Sequence, residues 1–532
     1  MELGPIMVVM AVAVVGALLG AACAMVPGFH SNALALVLLS LSAPISSVLY
    51  PLSCYAGASI PPALLFATLL VAAATAHSFV DFVPSIFLGV PDEDTVLSLL
   101  PAHRLLKSGK GLEAIQHAAA GSLCGALIAV LAAMPLQILL HPPSPIAAVL
   151  DSAVPYVLVC VLFLLVLTER GHESPNAHLD ARKSPRLESS TISICPPIPV
   201  NGTDGTLSGN VGRRGLCSFW LSTPRGRWRI VYGLRRKPRG FITVQGVWKV
   251  RRPRTRSRLK ATLVLGLSGM LGFVVMNASP PLSGSFDGLG QSLLFPLLSG
   301  LFAFPALLSA TSSKPIPEQK EARDEAPSVR PAIIGTFSGF LAGWMPGITS
   351  TIGTVIGSCF SPRPKDREDG AKAYILMLSA VGTSSVVFSL LALCIEGSGR
   401  TGAMLALQQA VGSELQSQLS SFPSASASLL LLSALIASII GYRSMLFAGD
   451  VLSKRTSGKD LGRINMLVLA GLSALVLLFN GPSGIVVASV ATLVGCLPTR
   501  LGVRRVHLTG CLLLPLLLFY LGLERTAIGL LW

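Results

Sequence analysis

Two stretches of this 532-residue chain hold residue types that can do chemistry in an otherwise apolar setting. The first runs from Gly16 and Gly20 through Val26-Pro27-Gly28-Phe29-His30-Ser31-Asn32. The second runs from Gly335 and Gly339 through Met345-Pro346-Gly347-Ile348-Thr349-Ser350-Thr351. Pro-Gly stops a helix, and the Ser that follows opens another. A helix restarted inside an apolar body presents N–H groups and the positive end of its dipole, which suits a carboxylate or another anion. The binding candidates are therefore Pro27, Gly28, His30, Ser31 and Asn32, matched by Pro346, Gly347, Thr349, Ser350 and Thr351. Thr383-Ser384-Ser385 adds hydroxyls in an apolar run, suited to a carboxylate as donors or to Na⁺ as ligands. Either Pro-Gly taken singly reads as an ordinary turn between spanning helices, with Ser and Asn as caps. The duplication favours a site.

Every matched position is offset by 319: Gly16 to Gly335, Gly20 to Gly339, Pro27 to Pro346, Gly28 to Gly347 and Ser31 to Ser350. Glycines four apart let helices approach closely. A second pair follows at looser spacing. It is Gly89-Val90-Pro91-Asp92-Glu93-Asp94-Thr95 with Ser108-Gly109-Lys110, and Gly382-Thr383-Ser384-Ser385 with Ser398-Gly399-Arg400. Each half thus contains a broken helix, a further interruption and a basic Gly-bearing turn. Two-fold repeats with discontinuous helices are a construction of secondary transporters, with the site near the midplane where the halves meet. The second copy lies seven apolar segments after the first, and an odd count makes the repeat inverted.

Charge is expensive at membrane depth, which singles out His30, His77, Asp81, Asp92, Glu93, Asp94, His103, Asp151 and Glu396. His77 and Asp81 are four apart, on one helix face, and can share a proton that couples movement of a solute to a gradient. Asp81-Phe82-Val83-Pro84 reads equally as a membrane edge. Asp92-Glu93-Asp94 with His103, Arg104, Lys107 and Lys110 suits a surface hairpin or a wet vestibule. The ten cysteines include no CxxC and no metal spacing. No metal and no cofactor is expected beyond H⁺ or Na⁺ as coupling ion. No catalytic residue is expected either. Gly266-Leu267-Ser268-Gly269 matches a short motif around intramembrane serine nucleophiles, but no histidine lies in the Ala261–Asn277 segment. There is no His-Glu-x-x-His and no phosphate-binding Gly-x-x-x-x-Gly-Lys-Ser/Thr loop, so ATP-driven action by this chain is not expected.

The elements that must position these residues are membrane helices. Hydrophobic residues make up 52% of the chain and charged ones 12%, with a mean hydropathy of +0.68. A soluble domain carries about 25% charged residues, so a soluble enzyme and a disordered chain are excluded. The fold expected is an all-α polytopic membrane protein, multi-pass in the cell membrane. It has two inverted internal repeats with broken or re-entrant helices, and a small β-rich extramembrane insert. About 13 apolar segments are legible, several shorter than the roughly 20 residues of a spanning helix. The run Ile6–Val26 lacks a basic leader and is expected to be a retained helix.

Of 41 Lys/Arg and 25 Asp/Glu, 20 and 5 lie in 169–260, which therefore carries +15 of the net +16. Beside a membrane such a block reads as cytoplasmic or facing anionic lipid, not as a nucleic-acid site. Arg170 to Asn210 has a linker composition. Phe219 to Val250 sets aromatic and β-branched residues between Gly turns and predicts strands. The domains expected are a first transmembrane repeat (1–168), the basic insert (169–260), helices completing the first half (261–310), a polar linker (311–330) and a second repeat (331–532).

Gly16-x-x-x-Gly20 running into Val26-Pro27-Gly28-Phe29-His30-Ser31-Asn32 resembles the permease subunit of the tripartite tricarboxylate transporters, closest to the divergent archaeal-type branch. Phe82-Val83-Pro84-Ser85-Ile86-Phe87-Leu88-Gly89-Val90-Pro91, Leu100-Pro101-Ala102-His103-Arg104 and Leu501-Gly502-Val503-Arg504-Arg505-Val506-His507 are similar to its later blocks. The resemblance spans 16 to 515, with the basic insert as the main departure. It implies ion-coupled import of organic carboxylates, with both Pro-Gly breaks at the family's duplicated motif. It also implies partners: the lipid bilayer, a small membrane subunit and an extracytoplasmic solute-binding protein, of which the archaeal branch can lack the last two. The alternative is a non-transporting lipid-handling or scaffold protein whose basic insert recruits partners or anionic lipid.

Overall fold

The computed structural model describes residues 3–55, 60–89, 95, 97, 99–141, 144–169, 207–212, 216–223, 226–236, 242–248, 254–277, 293–310, 316–321, 328–361, 367–421, 423–459 and 461–531. The chain forms two compact units, Met1–Glu169 with Lys260–Trp532, and Arg170–Leu259. Within the second, strands β1 (Leu207–Gly212), β2 (Leu216–Thr223), β3 (Gly226–Arg236) and β4 (Ile242–Trp248) form an antiparallel meander in chain order. Its register sets Phe219 opposite Ile230 and Ile230 opposite Trp248.

The first unit is built of helices. Its first half holds α1 (Leu3–Ala24), α2 (Ser31–Ser40), α3 (Ser42–Tyr55), α4 (Pro62–Val80), α5 (Phe82–Leu88), α6 (Leu99–Lys107), α7 (Gly111–Leu140) and α8 (Pro145–Leu167). Next come α9 (Arg254–Asn277), then α10 (Leu294–Leu298), which passes through a π-helical turn (Ser299–Ala303) into α11 (Phe304–Ala310). The later part holds α12 (Val329–Trp344), α13 (Ser350–Phe360), α14 (Arg367–Glu396), α15 (Gly402–Ser420), α16 (Ala425–Thr456) and α17 (Leu461–Gly495). The chain continues through α18 (Leu497–Leu501), a 3₁₀ turn (Arg505–Thr509), α19 (Gly510–Tyr520) and α20 (Glu524–Leu531). Among the described residues seven helices are long and apolar enough to cross a membrane, or eight if α2 and α3, bent by 75°, make one span. The chain is a multi-pass membrane protein.

Two spans form the centre. The best 18-residue windows of Pro62–Leu88 and Glu368–Glu396 are 94% and 89% buried, against 28–44% for the other five. Their sequences explain this. Thr68, Thr75, His77 and Ser78 on α4, and Thr383, Ser384, Ser385 and Ser389 on α14, are polar groups that hydrocarbon would leave unsatisfied, so protein must cover them. The duplicated glycines make that cover possible. A methyl at Gly16 or Gly20 would strike the α4 backbone at Leu69 or Ala73. One at Gly335 would sit 2.5 Å from the Met377 carbonyl on α14, and one at Gly343 2.5 Å from that of Ser385. A methyl at Gly125 of α7 would sit 2.6 Å from the Ala380 carbonyl. Gly20→Val and Gly339→Val are each expected to cost about 1–3 kcal/mol by forcing backbones apart. Gly471→Val, with open space around it, is expected to be near neutral. Thermal unfolding in detergent checks this, and equal losses at all three positions would discount the close packing.

The looser half of the expected repeat needs a correction. Gly382-Thr383-Ser384-Ser385 is no interruption: α14 runs unbroken through it from Arg367 to Glu396. The hydroxyls made the run look broken, but they fold back onto the helix, Ser384 Oγ donating to the Ala380 carbonyl (2.6 Å) and Ser385 Oγ to that of Gly382 (2.7 Å). Breaks appear instead at Gly412 in α15 and at Gly481, before Pro482, in α17, with φ of +70° and +63°. Asp92-Glu93-Asp94 lies outside the described residues, as does the Asp151 side chain.

Candidate substrate site

The two Pro-Gly stretches fold alike. In the first, Phe29 N–H donates to the Val26 carbonyl (3.2 Å); in the second, Ile348 N–H donates to that of Met345 (3.3 Å). Pro is the second residue of each four-residue turn and Gly the third, with φ of +77° at Gly28 and +75° at Gly347. That is the type II pattern, which needs glycine where φ is positive. Each turn ends on an extended residue, His30 (φ −69°, ψ 152°) or Thr349 (φ −79°, ψ 164°), and a helix begins at the next Ser. Positions 319 apart thus share one backbone path.

Their capping differs, because the residue before Ser differs. His30 Nδ1 accepts from the Asn32 N–H at 3.1 Å, so the first helix start is partly self-capped. Thr349 gives no side-chain cap, and its hydroxyl is buried without a hydrogen-bond partner. Surrounding elements brace the first turn. His77 Nε2–H donates to the Phe29 carbonyl at 2.8 Å, and Ser299 Oγ of the π turn reaches the Gly28 carbonyl at 3.5 Å. The Phe29 ring meets Phe295 and Phe479 at centroid distances of 6.0 and 6.5 Å. A π turn inserted in a helix commonly marks a functional site. At the second turn Leu516 packs so closely on Gly347 that a methyl there would collide with it.

Both turns line one cavity of about 510 Å³, within the range of pockets that hold small organic ligands. Gly28, His30, Ser31 and Asn32 border it from the first break, and Pro346, Gly347, Thr349 and Ser350 from the second. Ser385 completes the pairing from α14, its hydroxyl 3.2 Å from that of Ser350. Asp81 also lines the cavity, at the junction of α4 and α5. Pro27, His77, Thr351, Thr383 and Ser384 are not among its lining residues. Thr351, Thr383 and Ser384 are fully buried, and His77 is 1% exposed. Thr383 Oγ1 accepts from Ser78 Oγ at 3.4 Å, joining the two central helices beside the site.

Sequence reasoning missed the third contributor. The loop Gly397–Gly402 between α14 and α15 brings Gly399, Arg400, Thr401 and Gly402 to the cavity. Gln408 holds the loop by accepting from Gly399 N–H (2.9 Å) and donating to the Gly397 carbonyl (2.8 Å). Asn32 Oδ1 then accepts from the Ala403 N–H at 3.0 Å, so the first break caps the start of α15. Arg400 pairs with Glu396, one turn earlier in the chain. Ser398-Gly399-Arg400 was visible as a basic turn of the second half, but nothing in its spacing tied it to Asn32. The arrangement gathers the starts of α2, α13 and α15 with one guanidinium around a single cavity, a setting for a negatively charged group.

Ser268 has a packing role. Its Oγ is buried and reaches the Leu265 and His507 carbonyls, each at 3.1 Å. The His507 ring instead meets the Glu169 carboxylate at 2.8 Å, and Glu169 also accepts from the Arg504 N–H at 3.2 Å.

An uncharacterized protein of the archaeon Methanocaldococcus jannaschii is 22% identical over 342 residues, 64% of this chain. The chain covers 61% of the length of that relative. No solved structure matches. The description "Tripartite tricarboxylate transporter TctA family" matches residues 10–179 and 238–510, leaving out much of the basic insert and including both Pro-Gly breaks and the Arg400 loop. With most of its length matched, the chain belongs to the tripartite tricarboxylate transporter TctA family.

Proposed function

We propose that this chain is a secondary active permease for an anionic organic solute such as a carboxylate, driven by H⁺ or Na⁺. The observation that carries the reading is the meeting of two type II Pro-Gly turns, 319 residues apart, on one cavity that also receives Arg400. The turns are the matched halves of an inverted repeat, and the solute anion sits between their helix starts. Ser31, Asn32, Thr349, Ser350 and Ser385 supply donors, while Pro27, Pro346, Thr351, Thr383 and Ser384 shape the walls behind them. His77 holds the first turn, and Asp81 carries the coupling ion. The +15 insert stays on the cytoplasmic side as a small β-rich domain. Membership of the family supports work with a small membrane subunit and an extracytoplasmic solute-binding protein.

Reconstitution tests the reading. Purified chain in liposomes is expected to accumulate a labelled carboxylate only under an inward H⁺ or Na⁺ gradient. Ser350→Val and Pro346→Ala are expected to lower uptake about tenfold or more, the equivalent of about 1.4 kcal/mol. Normal uptake by variants at Pro27, Pro346, Ser31 and Ser350 alike would remove the assigned site.

A further inference from the structure

The lining of the cavity is of two kinds. Polar groups come from the two breaks and the Arg400 loop, and also from Ser78 of α4, Asp81 at its end, Ser299 of the π turn, Ser385 of α14 and Gln409 of α15. Met276 at the end of α9, Phe295 and Leu298 of α10, and Leu512 and Leu516 of α19 supply an apolar wall. That wall adjoins both breaks: Phe295 stacks edge-on against Phe29, and Leu516 packs on Gly347. Among the described lining residues the charged side chains are Asp81 and Arg400, and Arg400 already shares its charge with Glu396.

This composition constrains the solute. One carboxylate can be met by helix starts, hydroxyls and the guanidinium. For a second or third carboxylate the described lining residues offer hydroxyls and an amide but no further cation, and an uncompensated charge at this depth is costly. An apolar body placed on the same wall gains from leaving water, at about 25 cal/mol per Å².

We propose, on the footing of the carboxylate reading above, that the solute is a monocarboxylate with an apolar body. Its carboxylate is held by the polar lining around Arg400, and its body lies against Phe295, Leu298, Leu512 and Leu516. The cavity therefore selects against compact polycarboxylates.

The test is calorimetric titration of the full chain in nanodiscs of zwitterionic lipid, with empty discs subtracted and Na⁺ present at mildly acidic pH. The probes are butyrate, hexanoate, octanoate, succinate and citrate. Affinity is expected to rise by up to about fourfold per added methylene along the monocarboxylates, and citrate and succinate to bind at least about tenfold more weakly than octanoate. Leu516→Asn should flatten the chain-length dependence, weakening octanoate more than butyrate, whereas Arg400→Gln should weaken all three monocarboxylates by a similar factor of about tenfold or more. Tighter binding of citrate or succinate than of any monocarboxylate overturns the inference and leaves the carboxylate reading standing. Absence of binding by every probe overturns both.

Discussion

Asp81→Asn is expected to separate solute exchange from accumulation. Asp81 lines the cavity in which the solute anion is placed. Two unit negative charges about 8 Å apart, at an effective dielectric constant of about 20, repel by about 2 kcal/mol, roughly a thirtyfold weakening of binding. On the proposed function, the site favours the anion only when Asp81 is neutralised by a proton or accompanied by Na⁺, which is the coupling that the variant tests. An amide of the same shape removes it permanently. Gradient-driven accumulation should fall about a hundredfold, while counterflow of labelled against unlabelled solute stays within about threefold of wild type. Unchanged accumulation in Asp81→Asn liposomes would take Asp81 out of the coupling. His77→Ala should behave differently: it releases the Phe29 carbonyl and loosens the first break, so exchange and accumulation fall together.

The largest stability effect is expected at Lys372→Met. Lys110, Glu368, Lys372 and Glu113 form a chain of alternating charges joining the start of α7 to the start of α14. Lys110 contacts Glu368, which lies 3.7 Å from Lys372, and Lys372 lies 2.7 Å from Glu113. The Lys372 and Glu113 side chains are only 9% and 6% exposed, so neither charge can fall back on water. Removing one partner of such a buried pair leaves the other uncompensated, which costs about 3–5 kcal/mol. Lys372→Met should therefore lower the thermal midpoint in detergent far more than any of the glycine variants. Replacing both partners, as Lys372→Met with Glu113→Leu, should recover most of the loss, because paired burial of charge is itself close to break-even. A double variant no more stable than the single would show that the pair does not hold α7 to α14.

Much of the helical body was legible before any coordinates. Apolar runs of spanning length admit one solution, a helix, because each backbone group must find its partner within its own segment. Glycines four apart marked the close faces of α1 and α12, because only the absence of a side chain allows that approach. The reading of Gly382–Ser385 as a break failed for an equally local reason. Serine and threonine are ambiguous in an apolar run, since their hydroxyls can bond back to the preceding turn and leave the helix intact. Pro-Gly is not ambiguous in that way, and both of its copies break the chain.

The sequence by itself determined where helices stop, since proline lacks a donor and a positive φ at Gly28 and Gly347 is a property of three or four neighbouring residues. It also set matching residues at the two stops, 319 positions apart. Only the tertiary structure decided that they face one cavity, that Asn32 caps a helix beginning near residue 402, and that Arg400 stands beside them. The Asn32–Ala403 and Ser78–Thr383 contacts join residues more than 300 positions apart. Such meetings depend on how whole helices pack, a property of many side chains at once that no short spacing encodes.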